Sequence, residues 1–246
     1  GLEMPVIGYG VFQIPDGETE RCVLDAISVG YRLIDTAQVY GNEAGVGHAI
    51  AKCGVPRDQL FITTKIWIKN YESCKESVLE SMKKLQVDYI DLILLHQAFG
   101  NYYKAWHDLE NLYQEGKLKA IGVSNFYPDR LADICCHCRI KPMVNQVETH
   151  VYYQKEIDHK WNEKFGVQME AWGPLSETRV KELIVNPTLV SIAKKHNKTP
   201  AQVALRFNIQ RKIVIIPKST HKERMSENIN VFDFKLSHEE MEEIQK

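Results

Sequence analysis

Apolar and polar positions follow two rhythms that take turns along this chain. Short runs that are apolar almost throughout predict strands at 4–12, 32–35, 60–65, 89–96, 118–124, 143–148, 167–171 and 212–217, the first a strand or the remnant of a hairpin. Between them, apolar residues recur every three to four positions and predict helices at 18–29, 42–52, 71–85, 103–115, 129–138 and 155–164. Helices at 187–196 and 200–210 each carry a Pro in the first turn, and helices at 222–231 and 238–245 follow the last strand. Gly30, Gly54 (with Pro56) and Gly116 close helices, and Asn42 stands where a cap for the second helix belongs. The run 89–96 is nearly unbroken, as suits a strand buried on both faces.

Strand ends fall near 35, 65, 96, 124, 148, 171 and 217. Eight strand–helix units in 246 residues predict an α/β fold, a (β/α)8 barrel forming a single domain over 1–246. A doubly wound sheet is the alternative. It is weakened because no Gly-x-Gly-x-x-Gly follows a strand: Gly8-Tyr9-Gly10 runs into Val11-Phe12-Gln13, not into a helix start. No linker, low-complexity segment or second domain is visible.

Composition acts mainly by exclusion. Lys and Arg number 31 against 32 Asp and Glu, so no excess charge argues for nucleic acid or an anionic membrane. No apolar run reaches the roughly 18 residues of a membrane span, and the N-terminus lacks the pattern of a signal peptide. The chain opens without an initiator Met, so further residues are expected upstream. Six cysteines suggest reduced thiols in a cytoplasmic protein rather than a disulfide scaffold. Only Cys135-Cys136-His137-Cys138 resembles a metal cluster. Adjacent ligands on a helix diverge and no second pair stands at zinc spacing, so no metal is expected.

The candidate chemistry lies at the strand ends. Asp35 ends the second strand with Tyr40 just beyond, Lys65 ends the third and His96 the fourth. In a barrel these neighbours share one rim. Each has an ordinary structural reading: a turn Asp, a packed Tyr, a solvated Lys, a bonded core His. Together they make apparatus for protonating a carbonyl oxygen. An ammonium beside a phenol should lower its pKa from the usual value near ~10 by roughly one to three units. Asp35 would keep Lys65 charged, and a neutral His96 would donate a hydrogen bond that orients the carbonyl. A Schiff-base aldolase using Lys65 is an alternative, opposed by the adjacent carboxylate.

Gly30-Tyr31-Arg32-Leu33-Ile34-Asp35-Thr36-Ala37-Gln38-Val39-Tyr40-Gly41-Asn42-Glu43, Ile121-Gly122-Val123-Ser124-Asn125-Phe126 and Ile216-Pro217-Lys218-Ser219 stand in one order along the chain. On these motifs the sequence resembles the aldo-keto reductase family over essentially its whole length, in particular microbial and protozoan reductases of the 2,5-diketogluconate reductase and prostaglandin F synthase type. The resemblance implies a (β/α)8 barrel that reduces aldehydes and ketones with NADPH as a monomer. It implies Tyr40 as general acid, Lys65 and Asp35 as the groups that tune it, and His96 as the group that orients the carbonyl. Ser124, Asn125 and Gln146 match the side chains that hold the nicotinamide carboxamide, and Trp172 the aromatic that stacks on the ring, although a core aromatic is an equal reading of Trp172. Lys218, Ser219 and Arg224 match the grip on the 2′-phosphate, and Asn228 the adenine contact. Gly10, Val11, Asp35, Gly173, Leu175 and Thr220 complete the implied cofactor site, and Phe12, Tyr40 and His96 the substrate side. The ordinary reading of Arg224 is a pair with Glu227 on a solvated helix face.

Departures from the family pattern are the Gln97-Ala98 pair after His96, Phe12 where many relatives have Trp, and His150-Val151 without a following Pro. The chain stops at Lys246 in a helix, so part of the N-terminal hairpin and the C-terminal substrate loop of relatives are expected to be missing. A regulatory protein that binds NADPH with little turnover is the remaining alternative.

Overall fold

The structure, a computed structural model, describes residues 2–246. Eight parallel strands follow one another round a barrel in chain order: β1 Gly8–Gly10, β2 Leu33–Asp35, β3 Phe61–Ile66, β4 Ile90–Leu95, β5 Leu118–Ser124, β6 Val144–Glu148, β7 Gln168–Trp172 and β8 Val214–Ile215. A parallel bridge between Ile7 and Ile215 joins the last strand to the first. The helices between strands are α1 Asp16–Ser28, α2 Glu43–Lys52, α3 Cys74–Leu85, α4 Tyr102–Gln114, α5 Pro128–His137 and α6 Glu156–Phe165. Then come α7 Val180–Leu183, α8 Pro187–His196 and α9 Pro200–Gln210 before β8, with α10 Lys222–Ile229 and α11 His238–Gln245 after it.

The strands are buried on both faces at nearly every position, Lys119 at the start of β5 being exposed, which explains the apolar runs. Outward residues such as Ile34, Ile62, Ile93 and Ile121 pack under the helices in the large core. Inward residues, among them Leu33, Phe61, Leu92, Leu94, Val144 and Val214, fill the barrel. The inside is tight: a Cβ on Gly122 would meet Leu94 Cδ2 at 2.7 Å. Because side chains alternate along a strand, the residues two or four places beyond these inward ones also point inward. Leu33 leads to Asp35, Phe61 to Lys65, Leu94 to His96 and Val144 to Gln146. A polar layer therefore caps the apolar one at the C-terminal mouth, where barrels of this type carry their chemistry.

Several boundaries differ from the sequence reading. The first strand covers only Gly8–Gly10 of 4–12 and the last only Val214–Ile215 of 212–217. A 3-10 turn, Ile68–Ser73, precedes α3, and α7 with the turn Glu177–Arg179 was not anticipated. Asn42 does not cap α2 with its side chain. Its amide donates to the carbonyls of Val11 and Ile14 at 2.9 and 3.0 Å and accepts from the Thr36 hydroxyl at 2.7 Å. It ties the loop after β1 to the loop after β2. The cysteines are free, with Cys135 buried and Cys136 exposed. Among the described residues no helix is long and apolar enough to cross a membrane.

Candidate active site

Lys65 is completely buried, which its hydrocarbon stem tolerates and its ammonium does not unless paired. Three oxygens meet that need. Nζ lies 2.5 Å from Asp35 Oδ1, 2.9 Å from the Thr36 carbonyl and 3.4 Å from the Tyr40 hydroxyl. Burial pulls the ammonium pKa down, but Asp35 and the Tyr40 oxygen outweigh it and hold the group above its ordinary value. An amine held charged is a poor nucleophile, and the Schiff-base reading loses its footing.

Tyr40 sits at the end of a 3-10 turn, Gln38–Tyr40, that Gly41 leaves in the left-handed region at φ 71°. The Gln38 side chain anchors this turn, accepting from the Trp67 amide and donating to the Ser77 carbonyl and Ser81 hydroxyl. The expectation that Lys65 leaves the phenol pKa lowered does not hold. The structure shows a net rise: burial raises it more than the ammonium lowers it. The phenol therefore keeps its proton at neutral pH. His96, just past β4, packs edge-on to the Tyr40 ring with centroids 5.8 Å apart and to Trp67 at 5.1 Å. Burial and the Lys65 charge push its pKa down to about 3, so the ring is neutral. Its Nδ1 is buried without a partner in the protein.

Asp35, Tyr40 and His96 open on one cavity of about 360 Å3, whose lining excludes the buried Lys65 and includes Gly10, Phe12, Ser124, Asn125, Gln146, Trp172, Gly173 and Lys218. Phe12 lies 4.9 Å from the Tyr40 ring, centroid to centroid. Val39, Trp67, Gln97, Ile216 and Glu177 line the cavity too. Trp67 supplies an aromatic wall even though Gln97 offers none. Its position two residues beyond Lys65 in strand phase is the signal that could have found it. Glu177 had no such signal, because it arrives through the unforeseen turn.

The polar residues are bonded to one another. Asn125, in the left-handed region at φ 59°, accepts from the Trp172 indole at 3.0 Å and donates to the His96 carbonyl and Ser124 hydroxyl, both at 3.2 Å. It thus fixes the Trp172 ring and the strand end that carries His96. The Ser124 hydroxyl donates to the Gln146 carbonyl at 2.9 Å. Gln146 Nε2 donates to Asp35 Oδ2 at 2.8 Å and to Glu170 Oε2 at 3.0 Å.

The remaining expected residues lie outside that cavity lining. Val11 is buried and its amide donates to the Asp35 carbonyl at 3.0 Å. Leu175 packs between the two helix-side cores. The Ser219 hydroxyl accepts from the His221 amide at the start of α10, and the Thr220 carbonyl accepts from Arg21. On α10, Arg224 is exposed and Asn228 buried. Glu227 accepts from the Thr199 hydroxyl at 2.8 Å, and among the described residues it forms no salt bridge with Arg224, so the alternative reading of Arg224 as half of a surface pair does not hold.

The sequence model of the "Aldo/keto reductase family" matches residues 6–246. The chain is 45% identical over 247 residues to a 9,11-endoperoxide prostaglandin H2 reductase of Trypanosoma cruzi, covering 99% of this chain and 87% of that protein. It is also 45% identical over 248 residues to a glyoxal reductase of Bacillus subtilis, covering 99% and 89%. Its fold superposes on a crystal structure of a Bombyx mori aldo-keto reductase in complex with NADP at a TM-score of 0.93, with 32% identity over 98% of this chain and 88% of that one. An ion pair under a phenol at the mouth of a parallel barrel, and these matches over nearly the whole length, lead to one conclusion: the chain is an oxidoreductase belonging to the aldo/keto reductase family.

Proposed function

We propose that the protein reduces aldehydes and ketones to alcohols with NADPH, with Tyr40 as the proton donor. The observation that carries this reading is the buried Lys65 Nζ, within hydrogen-bond distance of both the Asp35 carboxylate and the Tyr40 hydroxyl, two groups that line the shared cavity.

The residues present suit the cofactor. Trp172 offers an aromatic face, Ser124, Asn125 and Gln146 offer amide and hydroxyl groups of the kind that recognise a carboxamide, and Lys218 and Arg224 are unpaired cations among the described residues. When bound, NADPH supplies the hydride. The chain's own residues manage the proton. Tyr40 retains it until the carbonyl oxygen gains negative charge, then releases it, and the Lys65 ammonium stabilises the phenolate that forms. Asp35 holds that ammonium in place. His96 has no acceptor at Nδ1, so the favoured tautomer carries its proton on Nε2, a donor suited to the carbonyl oxygen. Its neutrality keeps a second positive charge away from Lys65. Phe12 and Trp67 wall the substrate side. The six free cysteines suit a reducing compartment such as the cytoplasm, and the protein is taken to act as a monomer.

The test is Tyr40→Phe, assayed by the loss of NADPH absorbance with nitrobenzaldehyde. Turnover is expected to fall by about a hundredfold or more, with NADPH affinity retained. Undiminished turnover in a folded variant overturns the role of Tyr40. NADPH binding by the wild type with no turnover on any carbonyl would favour a regulatory role instead.

A further inference from the structure

Glu170 lies on β7 inside the barrel, directly across from Gln146 in strand register and fully buried. No motif or spacing in the sequence marks it. A carboxyl is a costly occupant of such a place, where Val214 is its register partner on the other side. Its Oε2 accepts from Gln146 Nε2 at 3.0 Å and its Oε1 has no partner in the protein. The same Nε2 donates to Asp35 Oδ2 at 2.8 Å. Two carboxyl groups therefore take both hydrogens of one amide. A flipped amide would turn its oxygen against the Asp35 carboxylate, which is already the partner of Lys65. Gln146 also lines the cavity, and Oε1 is the atom it has left for a ligand. An amide cannot relay protons readily, so Glu170 does not extend a proton path to Tyr40. What it contributes is orientation and charge.

We propose that Glu170 is a positioning residue for the nicotinamide end of the cofactor: with Asp35 it locks the Gln146 amide so that Oε1 faces the amino group of the carboxamide. This role presupposes the NADPH reading above. Burial, and then the Asp35 charge, hold the Glu170 carboxyl far above the ordinary carboxylate range. The charged groups that face it are Asp35 from β2 and Lys65 from β3, with neutral Gln146 from β6 and aliphatic Val214 from β8. When Glu170 does ionise, a second negative charge joins Asp35 on the Gln146 amide, and it would favour the cationic ring of a bound NADP+ over NADPH.

The experiment titrates the wild type, Glu170→Leu and Glu170→Gln with three ligands. These are NADP+, its 3-acetylpyridine analogue (which has methyl in place of the amino group) and adenosine 2′,5′-bisphosphate (which lacks the nicotinamide end). The wild type should prefer NADP+ to the analogue by about tenfold. Glu170→Leu should lose most of that preference while binding adenosine 2′,5′-bisphosphate unchanged, and Glu170→Gln should recover it. The ratio of Kd for NADPH to Kd for NADP+ should rise with pH in the wild type and stay flat in Glu170→Gln. No preference in the wild type, a preference that survives in a folded Glu170→Leu, or a ratio that rises equally in Glu170→Gln overturns the role. If Glu170→Leu does not fold, the wild-type preference and the Glu170→Gln pH profile still decide. A wild type that binds adenosine 2′,5′-bisphosphate but neither dinucleotide refutes the cofactor reading itself.

Discussion

Two lysines stand at the mouth of this barrel and have little else in common. Lys65, on β3, is fully buried and its ammonium has three oxygen partners. Lys218, just beyond β8, is exposed and forms none of the ion pairs found among the described residues. A cation with fixed partners in a dry place acts as a permanent field on its neighbour Tyr40. A cation in water with no partner is suited to receive charge from a ligand. Residue type alone does not separate the two cases; burial does.

The largest effect should come from breaking the buried member. Lys65→Met leaves the Asp35 carboxylate stranded, and urea unfolding should show a loss of about 3–5 kcal/mol. Turnover should fall by at least about a hundredfold. Replacing Asp35 by Leu in the same protein should restore much of the stability and none of the activity. A Lys65→Met protein as stable as the wild type would contradict the account of the pair.

A smaller, more selective effect belongs to the exposed side. Lys218→Ala and Arg224→Ala should each raise the KM for NADPH by about tenfold and leave that for NADH unchanged, since only NADPH carries the 2′-phosphate. The difference should shrink as salt is added. Stability should hardly move. Equal losses with both cofactors would mean that these cations do not read the phosphate.

The smallest effect is a slope. His96 takes a proton near pH 6.5 when unfolded but only near pH 3 when folded. Its contribution to stability is therefore complete above about 6.5 and declines as pH falls toward 3. His96→Gln has no such proton to take. Between those limits its stability should fall less steeply with acid, by up to one proton in the linkage slope. Parallel slopes would show that His96 is not held neutral by the fold.

The barrel was legible because strands buried on both sides leave unbroken apolar runs, and because helices of ordinary length separate them. Its seams were not. The short β1 and β8 depend on the Ile7–Ile215 bridge, and that pairing joins opposite ends of the chain. The four mouth residues were legible because strand ends can be counted. The direction of the Tyr40 shift was not, since a neighbouring ammonium is visible in the sequence and the depth of burial is not. Asn42 looked like a helix cap because caps are local. Its real partners, Val11 and Ile14, lie about thirty residues back. Glu170 passed as an ordinary strand residue for the same reason: the amide that explains it sits 24 residues away.

The barrel closes where its backbone pairing is thinnest, between a first strand of three residues and a last of two. Gly10 lies on one side of that closure and Lys218 on the other, and both border the same cavity. On the proposed reading, a dinucleotide lying there acts as a clasp across the join. Loading the enzyme would then do more than equip it for chemistry: it would fasten the staves across the join of its two shortest-paired ends.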